Sequence, residues 1–303
     1  MMHLKANNAY KIEGFIYNNI IPSFSGFVYL FMVISAFGMC CGYYNKIIQE
    51  RVDFSAFYKK RYIRILPFFS VLIVIDLIMN FSWRSVAESI ADVTLTFGLF
   101  PNDIEIVGVG WFLGLVFAFY LIFPFYCTLI SSKGKARLSL VIAIILNLVL
   151  DLRFEVGSNN IIYSLCFFIL GGIMYQYRGK LEKTAIYLTL PIVILSIVIL
   201  YVIGKNTFTI LLASGSMLAL AISNDNIILN NPFTKFISDI SMEIYLSHMV
   251  IFRGMEKLKL NVFIDNDIIQ YIFTSLCCFI LTVAFSFILK KLLLICTNKF
   301  VKG

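Results

Sequence analysis

Arg61 and Arg64 lie three positions apart in the run FYKKRYIRILP, residues 57–67. That spacing puts two forked, permanently charged guanidinium groups on one helical face. Each can hold two oxygens of an anion at once, so a phosphate-bearing ligand is the partner such a pair suits. The plainer reading is a basic cluster that marks the cytoplasmic end of a membrane span, as Lys59 and Lys60 do beside it.

A second set occupies SMEIYLSHMVIF, residues 241–252. Tyr245 and His248 are three apart and share a face, with Ser241 one turn earlier and Glu243 close by. An imidazole has the pKa to act as a general base near neutral pH. It also serves as a structural group, hydrogen-bonded inside a helix bundle. Asp76, Asp239 and Glu243 are carboxylates at or near apolar stretches. Asp239 and Glu243, four apart on one face, suit a cation or proton path, or simple hydration at a span end. Ser35 sits in FMVISAFGM, residues 31–39, where Ser35, Ala36 and Gly38 let a neighbouring helix or a ligand approach closely. No His–Asp partner pattern for a nucleophilic serine accompanies it. His3 is a further imidazole, at the start of the chain.

The seven cysteines (Cys40, Cys41, Cys127, Cys166, Cys277, Cys278 and Cys296) show no CxxC spacing and read as small apolar fillers. With two histidines in the chain, a histidine-rich metal centre is excluded, and no metal is expected.

The elements that must position these residues follow from composition. The chain is 60% hydrophobic and 14% charged, with a mean hydropathy of +0.89, which sets it apart from soluble domains. Apolar runs of about 15–23 residues recur, long enough to cross a bilayer as helices. They predict spans near 22–44, 65–82, 111–130, 137–151, 161–177, 185–203, 207–223, 237–253 and 268–289. The expected fold is all-α: a polytopic transmembrane helix bundle of about nine complete spans in a single integral-membrane domain, residues 1–303. Trp83 and Trp111 fall near predicted span ends, where indoles favour the interface.

Basic residues set the orientation. With the loop after the first span in the cytoplasm, 17 of the 25 basic residues lie on that side, clustered at span ends. The opposite loop from Trp83 to Gly110 carries Glu88, Asp92, Asp103 and Glu105. The N-terminus is therefore expected outside and the C-terminus in the cytoplasm. The net charge of +8 is mostly this topology signal, so a nucleic-acid partner is not implied, while anionic lipid headgroups would be favoured. The opening Met-Met-His-Leu is too short for a targeting segment and reads as the last turn of a missing first span that ends near His3.

Together these residues resemble the membrane-bound acyltransferase 3 family, which O-acylates cell-surface sugars. Residues 31–37 resemble its FFxxSGF segment, with Ala36 in place of the usual glycine. Arg61-Tyr62-Ile63-Arg64 with Pro67 resembles its RxxR-x-x-P element. Trp111-Phe112-Leu113 with Tyr120 and Pro124 is similar to its WFL span, and Ser241 to His248 to its SxxIYLxH element. The family's first helix carries an arginine and, about three turns later, a histidine. His3 resembles that histidine, and the arginine has no counterpart here.

The resemblance implies transfer of an acyl group, acetyl by family analogy, from cytoplasmic acetyl-CoA or another acyl-CoA to a hydroxyl of a surface or lipid-linked carbohydrate. Arg61 and Arg64 would take the donor's phosphates, and His3 would act as base or acyl carrier. Ser35, Trp111, Tyr245 and His248 would support the site or line the substrate channel. The implied location is the plasma membrane of a bacterial cell. Two other classes account for part of the pattern: a transporter or flippase for a glycan or lipid-linked substrate, and a non-catalytic member of the family.

Overall fold

The computed structural model describes residues 2–7, 10–95, 110–154, 160–223 and 229–301, and among them every regular element is a helix. In chain order they are α1 (Met2–Asn7), α2 (Ile16–Ile48), α3 (Phe54–Met79), α4 (Trp83–Val93), α5 (Gly110–Leu129) and α6 (Lys133–Phe154). There follow α7 (Ile161–Leu181), α8 (Ile186–Ile203), α9 (Thr207–Ile222), α10 (Pro232–Asp239), α11 (Ser241–Lys257) and α12 (Asp267–Val301). Asp103, Glu105, Lys302 and the side chains of Cys296 and Lys299 lie outside the described residues.

Six of these helices are long and apolar enough to cross a membrane: α2, α3, α5, α7, α8 and α12, the last over Asp267–Ile295. The other three expected spans exist as helices without meeting that measure. α6 carries Lys133, Lys135 and Arg137 at one end and Asp151 and Arg153 at the other. α9 has 16 residues. The expected span 237–253 is broken at Ile240, whose φ of −114° and ψ of 12° separate α10 from α11.

The outward surface is what a bilayer requires. On α8, Ile192, Ile194, Leu195, Val198 and Val202 are exposed while Thr189 and Ser196 are buried. Ser196 Oγ meets Ser216 Oγ of α9 at 2.8 Å, satisfying two hydroxyls away from lipid.

The chain divides into two compact units. One comprises Met1–Ile21, Lys59–Leu113 and Pro232–Gly303; the other comprises Pro22–Tyr58 and Gly114–Asn231. In the second, α2 packs on α7 through small residues: a Cβ on Gly171 would collide with the Val33 carbonyl oxygen and Ala36. Its core is aromatic. Phe119 stacks on Phe168 at 4.3 Å, and the buried Tyr126 hydroxyl donates to the Phe168 carbonyl at 2.9 Å. In the first unit, α11 packs along α12, with Ser247 Oγ and Ser286 Oγ 2.9 Å apart.

Candidate functional site

The first unit brings together residues from the two ends of the chain. His3 on α1 and His248 on α11 have ring centroids 5.2 Å apart, with planes tilted by 45°. Leu4, the next residue, is buried and anchors α1 beside them. Lys5 Nζ ties the same helix to the start of α2, donating to the Tyr17 carbonyl at 2.6 Å.

The His248 ring is fixed by its own helix. Its Nδ1 lies 2.5 Å from the Tyr245 carbonyl oxygen. A carbonyl can only accept, so Nδ1 carries the proton and Nε2 of the neutral ring is left as the acceptor. That is the tautomer a general base needs. Tyr245 stands beside it, ring centroids 5.8 Å apart, and packs edge-on against Phe112 at 5.3 Å. Phe112 in turn meets Trp111 edge-on at 6.0 Å. Four expected site residues (His3, His248, Tyr245 and Trp111) thus form one chain of ring contacts through Phe112.

Arg61 and Arg64 belong to the same unit but occupy different surroundings. Arg61 is buried and Arg64 exposed. The shared helical face expected from their spacing therefore does not give them a shared environment. Lys59 and Lys60 are exposed as well.

The depth relation between arginines and histidines can be read from contacts. Arg253 Nη1 of α11 donates to Asp76 of α3 at 2.9 Å, and one turn on Lys257 Nζ donates to the Met79 carbonyl. Both pairs advance in the same sense, so α3 and α11 run parallel there. Arg61 lies fifteen residues before Asp76, and His248 five before Arg253. At 1.5 Å per residue, His248 stands about 15 Å further along the bundle than Arg61.

The three carboxylates that could have formed an ion path are otherwise engaged or exposed. Asp76 is paired with Arg253. Glu243 is buried and paired with Lys290 Nζ at 2.9 Å, and the same ammonium donates to the Asp239 backbone carbonyl. The Asp239 side chain is exposed. These are braces between helices rather than uncompensated intramembrane charges.

Ser35 is half-buried on α2, in the second unit. Its neighbour Ala36 serves the close approach of α7 at Gly171, a packing role for the small residues of that segment. The cysteines whose side chains are described are all free, with Cys40, Cys127 and Cys166 buried. Among the described residues no three His, Cys, Asp or Glu side chains gather as a metal site would need. Phe112, which links Trp111 to Tyr245, has no place among the expected site residues; its only signal is its place between Trp111 and Leu113.

The chain matches a family model described as an acyltransferase domain over residues 1–291, nearly its full length. No curated protein and no solved structure matches it. With that match across almost the whole sequence, and six helices fit to span a membrane, the chain belongs to the acyltransferase 3 family.

Proposed function

We propose that this protein transfers an acyl group, acetyl in the first instance, from acyl-CoA to a hydroxyl of a surface or lipid-linked carbohydrate. The pairing of His3 with His248 inside an acyltransferase chain carries the reading. An imidazole of the pair, His3 foremost, takes the proton of the acceptor hydroxyl, and the oxygen attacks the thioester carbonyl. The carbon–sulfur bond breaks, the ester forms, and the proton passes from the imidazolium to the departing thiolate of CoA. His248, held by the Tyr245 carbonyl, keeps an acceptor nitrogen beside this exchange.

The polyanionic end of the donor docks at Arg61, with Arg64 on its exposed side. The interval of about 15 Å between the Arg61 and His248 levels is one for the donor's flexible arm to cross. In this reading nine helices span the plasma membrane of a bacterial cell, the C-terminus is cytoplasmic, and donor and acceptor enter from opposite sides. The positive-inside pattern supports that orientation.

The test is a reconstituted assay of the full chain with acetyl-CoA, following free thiol and acetylated glycan, alongside the O-acetyl content of surface glycan in cells with and without the gene. Thiol release that depends on a glycan acceptor and falls in His3→Ala and His248→Ala is the expected result. Wild-type release in both variants, or unchanged surface acetylation without the gene, overturns the reading.

A further inference from the structure

Amphipathic helices of water-soluble surfaces turn their polar side outward. Helix α4 does the reverse. Its exposed face consists of Trp83, Ala87, Ile90 and Val93, at spacings of four, three and three, with Trp83 83% and Ile90 65% exposed. Its polar residues turn toward the first unit: Asp92 is 2% exposed, and Ser85, Glu88 and Ser89 are half-buried. Arg84 is the exception, exposed at the edge of the apolar face with Nε on the Glu88 carboxylate at 2.8 Å.

Both ends of the helix are fixed. Three residues separate it from α3, and the Ser82 side chain caps it by accepting from the Ser85 amide at 3.0 Å. At the other end Leu95 is buried and takes a left-handed conformation, φ +56°, that closes the helix. The apolar face of α4 also continues toward that of α3: Val74 and Ile78 of α3 and Phe81 just beyond it are exposed, and the Phe81 ring meets Trp83 edge-on at 6.1 Å. The short helix α10 makes a useful contrast, exposing Phe233 together with Lys235 and Asp239 and so showing no such inversion.

We infer that α4 is a membrane-plane helix, seated in the bilayer interface where α3 leaves the membrane, with lipid as the occupant of its exposed face. Trp83 places an amphipathic ring at headgroup depth, Ile90 and Val93 enter the upper acyl region, and Arg84 reaches lipid phosphate. The acidic residues of α4 stay on the protein side, away from the anionic surface. This assignment does not depend on the transferase reading.

The chain has two tryptophans, so Trp111→Phe leaves Trp83 as the sole reporter in the full-length protein. Placed in nanodiscs of phosphatidylcholine and phosphatidylglycerol, its emission should be blue-shifted and fall about twofold with lipids brominated near the glycerol end of the chain. Quenching should be weaker with bromines near the chain terminus, and slight with aqueous acrylamide. If Trp111→Phe does not fold, the difference between wild type and Trp83→Phe isolates the same indole. Strong acrylamide quenching without bromine quenching puts α4 in water and overturns the inference. Protection from both quenchers means that protein covers the face, and overturns it equally.

Discussion

Arg253 holds Asp76 through a single terminal nitrogen that reaches both carboxylate oxygens, at 3.0 and 2.9 Å. Asn80 Nδ2 adds a third hydrogen bond at 3.1 Å, and the carboxylate has almost no exposure. The pair joins the helix that carries Arg61 to the one that carries His248. It sets where along the bundle each of them lies.

Removing one partner of such a pair strands the other, at a cost of about 3–5 kcal/mol. Asp76→Ala and Arg253→Ala should each lower the thermal unfolding temperature of the detergent-solubilised protein strongly. The double replacement Asp76→Leu with Arg253→Met should recover much of the loss. Singles no worse than the double would mean that the pair does not act as a brace.

His248→Asn keeps a side-chain N–H near the Nδ1 position and can still donate to the Tyr245 carbonyl, but it lacks Nε2. It should unfold at the wild-type temperature while losing about 10²–10⁴-fold in acyl transfer. His248→Ala should lose activity to a similar extent. Full activity in the Asn variant would confine His248 to a packing role.

The unequal burial of the two arginines predicts unequal responses. Arg61→Lys should raise the KM for acyl-CoA about tenfold, since a buried guanidinium fork is not replaced by a point charge. Arg64→Lys, at an exposed position, should change it little. Equal effects would argue for a symmetric clamp instead.

Gly171→Ala places a methyl group into the Val33 carbonyl oxygen and Ala36 Cβ, and Gly172→Ala into the Tyr126 hydroxyl. Overpacking of this kind costs about 1–3 kcal/mol. Both should reduce the yield of folded protein from membranes. Gly179→Ala, with open space around it, should not.

Much of the helical framework was legible because apolar runs end abruptly at charges or glycine. Gly204, with φ +92°, stops α8 where the run stops, and Asn206 caps α9 directly after it. Helix α4 falls within an expected loop because it is too short to span, although Ser82 as a cap and the Trp83–Ile90–Val93 spacing both mark a helix. The shared face of Tyr245 and His248 follows from their spacing, whereas the inward turn of Arg61 and outward turn of Arg64 depends on what packs against α3. The meeting of His3 with His248 has no local signal at all: residue type singles out each imidazole, but nothing in the sequence between them brings the two together.

That meeting has a consequence for biogenesis. The two imidazoles are separated by 245 residues, and the contacts from Tyr10 to Asn261 and from Lys11 to Asp267 close over similar distances. At ribosomal speeds of about 5–20 residues per second, His3 waits roughly 12–50 s for its partner to be synthesised. An unfinished chain, however far its early helices have entered the membrane, has only half of the pair.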